Sequence, residues 1–129
     1  MPSWQPNWED VKWDWGAANN AVQALRRSAD LMENTARQRM GVAHQAQAEW
    51  RGRYRLEFDD KLRYMDQRAY GIASELRALA ARIASASEAA RAEQSHRESE
   101  RARWHREKDE EERRERERER EKRRRQHGG

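Results

Sequence analysis

Apolar residues recur along most of the chain at steps of three and four, the spacing of one face of a helix. The first stripe consists of Trp8, Val11, Trp15, Ala18, Val22, Leu25, Ala29, Met32 and Ala36. The second consists of Tyr54, Phe58, Leu62, Met65, Ala69, Ile72, Leu76, Leu79, Ile83, Ala86 and Ala90. Such a stripe stabilises a helix only when it packs against another stripe. The pattern therefore predicts two helices packed side by side with coiled-coil-like, left-handed geometry.

The phase of the pattern breaks between the two stripes, in the segment 49–53. Gly52 can adopt a positive φ at little steric cost, so it can end the first helix. Trp50 can then cover the end of the core between the helices. The predicted fold class is all-α: an antiparallel helical hairpin with its turn at residues 50–52, followed by a charged, partly helical C-terminal extension.

The start of the first helix can be placed at two positions. Asn7 can cap a helix that begins at Trp8. Gly16 interrupts that helix at a cost of roughly 1 kcal/mol relative to alanine, so a start after Asp14 is the alternative. In that case residues 1–15 form a packed arm that contains four tryptophans: Trp4, Trp8, Trp13 and Trp15. These rings are either an exposed docking surface or, as we favour, a plug at the open end of a thin helical bundle.

The C-terminal third of the chain differs in composition from the hairpin. The predicted division is an arm at 1–15, a hairpin at 16–92 and a charged tail at 93–129. Pairs at i,i+4, such as Glu110 with Arg114, support a helix at the start of the tail. The strict charge alternation that follows places like charges at i,i+4. We expect the helix to fade beyond about Arg114, and Glu107–Gly129 to lie outside the packed domain.

Composition supports long, thin helices rather than a thick globular core. Charged residues make up 40% of the chain and hydrophobic residues 35%, and cysteine is absent. The net charge of +4 arises from 28 basic and 24 acidic residues, a mixture of signs that does not indicate a dedicated nucleic-acid binder. No apolar run is long enough to span a membrane, and the first residues lack the pattern of a secretory signal peptide. We therefore expect a cytoplasmic location before any export.

The sequence contains no recognisable catalytic or metal-binding pattern. The histidines are far apart and none has the i,i+4 histidine partner of a helical zinc site: His44, His96, His105 and His127. A glycine-rich phosphate loop is absent, and paired carboxylates need a pocket that a thin hairpin does not provide. We expect a non-enzymatic protein with no catalytic residues, no metal, no cofactor and no small-molecule substrate.

The order of helix, Trp-x-Gly turn, helix and polar tail resembles the WXG superfamily, the early-secretory-antigen-like helical hairpins of type VII secretion systems. The resemblance covers about Trp15 to Arg91 and centres on Trp50, Arg51 and Gly52. It implies that the hairpin pairs with a second copy, or with a related Trp-x-Gly protein, as a four-helix bundle. It also implies export without a cleavable signal peptide by a membrane ATPase, as a substrate, a secretion partner or a targeting domain for a cargo. The turn would then form part of a recognition motif.

The chain departs from the family pattern at its export signal. Family members that carry their own signal have Tyr-x-x-x-Asp/Glu after the second helix. Here the residues four positions after Tyr54, Tyr64 and Tyr70 are Phe58, Arg68 and Ser74. The resemblance therefore implies that a partner supplies the signal. The long charged tail and the tryptophan-rich start are two further additions.

The apolar stripes also predict a partner interface. Its expected residues are Trp8, Trp15, Val22, Leu25, Met32, Phe58, Leu62, Met65, Ile72, Leu76, Leu79 and Ile83. One alternative function is a cytoplasmic coiled-coil scaffold or assembly protein, in which the Trp-Gly turn is incidental. Another is a nucleic-acid-binding helix that uses Arg113, Arg114 and Lys122–Arg125. Interleaved glutamates oppose this last function because each cancels much of the attraction to phosphate.

Overall fold

The computed structural model describes residues 1–50 and 52–128, and these form two long helices without any strand. Helix α1 spans Trp15–Glu49 and helix α2 spans Arg53–His127. Polar contacts between them join Gln47 to Asp59, Glu33 to Arg77 and Trp15 to Ser87. Successive contacts move toward the N-terminus of α1 and toward the C-terminus of α2, so the two helices are antiparallel. The predicted all-α helical hairpin is confirmed.

Helix α1 begins at the later of the two predicted positions. Asp14 is its N-cap, and its carboxylate accepts a hydrogen bond from the backbone N–H of Ala17 at 2.9 Å. Asn7 does not cap a helix, because its side-chain oxygen accepts from the N–H of Glu9 at 3.0 Å within an irregular segment. Residues 1–13 therefore form a non-helical arm, and Trp15, which the prediction included in the arm, is the first residue of α1.

The turn between the helices uses the predicted glycine. Trp50 is the extended C-cap of α1, and its N–H donates to the carbonyl oxygen of Ala46 at 3.1 Å. Gly52 has a φ of +113°, a value that side chains rarely tolerate. The Trp50 ring lies 5.2 Å from the ring of Phe58 and remains 39% exposed. Trp50 therefore covers the tip of the hairpin but is not a buried core residue. Arg51 lies outside the described residues.

Small side chains form the seam between α1 and α2 in the compact unit of residues 14–87. The buried residues of α1 are Ala18, Val22, Ala29, Ala36 and Ala43. Those of α2 within this unit are Leu62, Asp66, Ala69, Ala73 and Ala80. The predicted stripe of α1 is confirmed at four of these positions, and the stripe of α2 at Leu62 and Ala69.

At three other positions of the predicted α2 stripe, the prediction is wrong: the buried residue is the one that follows the predicted residue. Met65, Ile72 and Leu79 are 46%, 37% and 44% exposed, while the residue after each of them is buried. Ala73 and Ala80 are fully buried, as are Ala29 and Ala36 of α1. Alanines on both helices allow the backbones to approach closely, so the larger side chains lie beside the contact rather than within it.

Helix α2 extends well beyond the predicted end at Arg114, as far as His127. Salt bridges one turn apart, at 3.8 Å between Arg116 and Glu112 for example, support the added length. The last turn carries Arg124, Arg125 and His127, which interact favourably with the negative end of the helix dipole. The like-charge pairs at i,i+4 do not end the helix, because arginine and glutamate both have high helix propensity.

The second compact unit combines residues 1–13 with the described part of 88–129. Its existence corrects the prediction that everything from Glu107 onward lies outside a packed unit. The indole N–H of Trp4 donates to the Glu107 carboxylate at 2.7 Å, and the N-terminal amino group lies 2.5 Å from the Glu111 carboxylate. Residues 112–128 are exposed, as predicted. Neither helix, over its described residues, has a stretch apolar and long enough to cross a membrane.

Candidate interaction surfaces

The hairpin of residues 14–87 has two unlike sides, separated by the buried pair Ala43 and Leu62. Polar residues bridge the helices on one side, where the side-chain amide of Gln47 donates to Asp59. Further along this polar side, Arg77 donates to Asp30 at 2.7 Å and also to Glu33. The hydrogen bond from Arg77 lowers the pKa of the Glu33 carboxyl below its ordinary value. Hydrogen bonds and ion pairs therefore already join the two helices on the polar side.

The other side of the hairpin is a shallow apolar groove. Near the turn, Val42, Ala46, Phe58 and Met65 line it together with the aliphatic stem of Lys61. Steps of seven along each helix return to the same side, so Ile72 and Leu79 continue the row that Met65 starts. On α1, steps of seven back from Ala46 pass through Arg39 to Met32 and Leu25, which lie on the same side of the hairpin. We call this surface the apolar face and define it by Leu25, Met32, Val42, Phe58, Met65, Ile72 and Leu79.

Charge is almost absent from the α1 half of the apolar face. Arg39 is the only charged residue among the α1 residues that line the groove, and its guanidinium lies 3.6 Å from the carboxylate of Asp66. Asp66 is only 9% exposed, so this pair is held between the helices. Removing one partner of a buried ion pair leaves an unpaired charge, which makes such pairs sensitive to helix register. Arg39 therefore lines the apolar groove as a half-buried charge whose ion-pair partner, Asp66, lies in the seam.

The predicted interface residues fall into three groups. Val22 and Leu62 are buried between the helices, and Leu62 lies at the floor of the apolar groove. Half-buried residues are Trp15, Leu25, Met32, Phe58, Leu76 and Ile83. Exposed residues are Trp8, Met65, Ile72 and Leu79. Val42 belongs to the apolar face but was not predicted, although its seven-residue spacing from Thr35 and Ser28 on an uncharged side of α1 was a usable signal.

A second surface lies on the extension of α2, where the arm binds. Gln94, Arg97, Arg101 and Trp104 follow the same three-four spacing as the hairpin seam. Together with Glu107, one turn further along, we call them the arm-binding strip. Val11 of the arm donates its backbone N–H to Gln94 at 2.8 Å, and the N-terminal amino group reaches Glu111. The helix between positions 94 and 111 rises about 25 Å, which ten residues of the arm span at about 2.5 Å each. The arm therefore runs antiparallel to α2 in an irregular, partly extended conformation with bends at residues 3, 4 and 9.

Two arginines hold the backbone of the arm. Arg97 donates to the carbonyl oxygen of Glu9 at 3.0 Å. Arg101 donates to the carbonyl oxygens of Asn7 at 2.9 Å and Glu9 at 2.6 Å, and to the carboxylate of Asp10 at 2.8 Å. Hydrogen bonds from Gln94 and then from Arg101 lower the pKa of the Asp10 carboxyl. These contacts satisfy backbone oxygens that a helix would otherwise have paired, which is why the arm is stable without helical structure.

Aromatic rings fix the arm at two points. Trp104 is only 6% exposed, and its ring meets the ring of Trp8 edge to face at 5.2 Å. The guanidinium of Arg103 lies 4.2 Å from the centre of the Trp4 ring, within the range of a cation–π contact. Trp4 and Trp8 thus contact α2 between positions 103 and 107, and the prediction that they plug the open end of the bundle is wrong. Of the four N-terminal tryptophans, Trp15 alone belongs to the hairpin unit, where its indole N–H donates to the Ser87 carbonyl at 3.0 Å.

The described residues offer no further site with recognisable chemistry. Within 1–50 and 52–128, no group of three or more histidine, aspartate or glutamate side chains is arranged to hold a metal ion. Comparison with protein-family models, curated proteins and solved structures found no match to this chain. The apolar face and the arm-binding strip are therefore the candidate interaction surfaces of the described residues.

Proposed function

We propose that this protein is a non-enzymatic helical pairing protein whose apolar face binds a second helical hairpin, either another copy or a related Trp-x-Gly protein. We further propose that the pair serves a type VII secretion system as a substrate or a partner subunit. The observation that carries the first proposal is the exposure of three large apolar side chains in one row, Met65, Ile72 and Leu79. A row of this kind marks an interaction surface in an otherwise highly charged chain.

The energy available from the apolar face supports pairing. Complete burial of a large aliphatic side chain contributes roughly 1.5–3 kcal/mol, and about two fifths of that remains unused at Met65, Ile72 and Leu79. Each therefore has roughly 1 kcal/mol still to gain, and a second copy would contribute the same amount. The half-buried Leu25 and Met32 add to the total. A single hairpin of alanine-rich helices buries little apolar surface of its own, so a further packed layer would enlarge its core.

The shape of the apolar face suits another pair of helices. The two antiparallel helices lie side by side and leave a shallow groove between their apolar rows. The side chains of a second hairpin can pack into this groove, with the helices of the two hairpins crossing at about 20°. On the α1 half, Arg39 is the one charged residue that lines the groove, and its pairing with Asp66 reduces the charge that association would have to bury. A four-helix bundle is therefore the assembly that this face favours.

The turn supports the secretion part of the proposal. Trp50 lies at the tip of the hairpin with 39% of its surface exposed, so a recognition protein can reach the ring without unfolding the hairpin. Gly52 holds the backbone in a conformation available mainly to glycine. The Trp-x-Gly resemblance supplies the functional context. Because no tyrosine here is followed by an acidic residue at the fourth position, we assign the export signal to the partner hairpin.

An export assay in cells that carry the cognate secretion system tests this function. Trp50→Ala and Ile72→Glu should both reduce export strongly while the chains remain helical by circular dichroism. Met40→Glu is the matched control, because Met40 is 41% exposed but lines the polar side of the hairpin. Normal export of folded Trp50→Ala would remove the turn from the mechanism and favour a cytoplasmic scaffold instead.

A further inference from the structure

The arm is held on α2 largely through groups that every polypeptide possesses. Arg97 and Arg101 donate to backbone carbonyl oxygens of the arm, and these bonds do not depend on the side chains at those positions. Gln94 likewise accepts from a backbone N–H of the arm. Recognition of an extended segment through its backbone, with side-chain pockets for specificity, is a general mode of peptide binding. The arm-binding strip therefore has the chemistry of a peptide-binding surface.

Specificity on this surface comes from two aromatic positions four residues apart. Trp4 lies over Arg103 and donates to Glu107, while Trp8 contacts Trp104. An occupant must therefore be an extended segment that carries tryptophans at this spacing. The arm meets that requirement, so the segment best suited to the strip of one molecule is the arm of another.

The closed arrangement is open to exchange at its solvent-facing contacts, although Pro2 and Pro6 of the arm are buried. Trp8 is 47% exposed, and the Asp10 side chain that pairs with Arg101 is 74% exposed. A single extended residue, Asp14, separates the arm from the first residue of α1. Local opening requires little energy where contacts are exposed and few large side chains are buried. Short connections of this kind also favour the exchange of an identical element between two molecules.

We infer that the arm-binding strip accepts the arm of a second copy of this chain, so that two molecules can be linked by exchanged arms. Each strip remains filled after exchange, and Trp104 stays covered in both molecules. This linkage uses residues 1–13 and 94–107 and none of the apolar face. It therefore holds or fails independently of the proposed pairing of hairpins.

Two complementary full-length variants test the exchange. The reporter chain carries Arg97→Ala and Arg101→Ala, which damage its strip, and a dye on Ser3→Cys in its intact arm. The label is specific because the chain has no cysteine of its own. The acceptor chain carries Trp4→Ala and Trp8→Ala, which damage its arm and leave its strip intact. The anisotropy of the dye is followed as the acceptor is added.

The matched control acceptor carries Arg97→Ala and Arg101→Ala in addition. Hairpin pairing contributes equally to both titrations, so a difference between them reports the strip alone. We expect saturable binding of the acceptor and binding about tenfold or more weaker for the control, since both arginine contacts are charged hydrogen bonds. Equal responses to the two chains would show that the arm binds only its own α2, and would overturn the inference.

Two further acceptors separate recognition from general damage to α2. Arg91→Ala, added to the acceptor, removes an arginine of the same helix that pairs with Glu88 and not with the arm. It should leave the titration unchanged. Arg101→Lys keeps the charge but loses the forked geometry that reaches two carbonyl oxygens and a carboxylate. It should weaken binding while helicity is retained, and unchanged binding would contradict the role given to Arg101.

Discussion

Substitutions at two adjacent positions, Ile72 and Ala73, test the location of the helix seam. Ala73 is 0% exposed and faces the other helix, so Ala73→Leu must force two closely packed backbones apart. Overpacking of this kind destabilises a protein by about 1–3 kcal/mol. Ile72 is 37% exposed beside the seam, so Ile72→Ala leaves no closed cavity. Its expected cost is about 1 kcal/mol from lost apolar contact, partly offset by the higher helix propensity of alanine.

Urea denaturation followed by circular dichroism measures both changes. The samples should be dilute enough to be monomeric, because association would bury Ile72 and increase its apparent cost. Ser74→Leu is the matched control, since it adds the same side chain at an exposed neighbouring position and should be nearly neutral. If Ile72 were a core residue, its truncation would cost about 2–5 kcal/mol. A larger loss of stability for Ile72→Ala than for Ala73→Leu would refute the seam described here.

Two further predictions concern the unit that contains the arm. The pKa of the Asp10 carboxyl is lowered by hydrogen bonds from Gln94 and Arg101, so its contribution to arm docking is present above the ordinary value of about 3.9 and is lost as the pH falls through the lowered pKa. Hydrogen exchange of the Val11 amide should accelerate over that acidic range, and Asp10→Asn should remove this part of the pH dependence. Deletion of residues 112–129 should change the stability of both units by no more than about 0.5 kcal/mol, since the described residues of this segment are exposed. Deletion from position 107 should loosen only the first residues of the arm, measured as increased mobility of residues 1–4 by NMR relaxation, because Trp4 loses Glu107 and the N-terminus loses Glu111. The Val11 amide should stay protected, because Gln94 remains.

The hairpin itself was predictable from spacing alone. Two stripes with one phase break leave few alternatives to a pair of helices, and Gly52 marked the turn because its conformation is one that other residues avoid. The seam of α2 was harder to predict, because apolar residues occupy both candidate rows. Hydrophobicity ranks Ile72 above Ala73 as a core residue, whereas the close approach of two helices favours the smaller side chain.

The arm-binding strip was not predictable from apolar periodicity. Its three-four spacing continues through Gln94, Arg97 and Arg101, which a count of apolar residues does not register. Trp104 was the available signal, as the one large apolar residue in a charged region. Its partner, Trp8, lies almost a hundred residues away in the sequence, and only the fold brings the two rings together.

Sedimentation equilibrium of the intact chain tests most directly whether the apolar face pairs with a second hairpin. At micromolar concentration, with no partner added, the wild-type chain should be dimeric. Ile72→Glu should shift the equilibrium toward monomer, because a charge would have to be buried on association. Met40→Glu on the polar side should leave it unchanged. A wild-type chain that is well folded and entirely monomeric under these conditions would contradict the proposal.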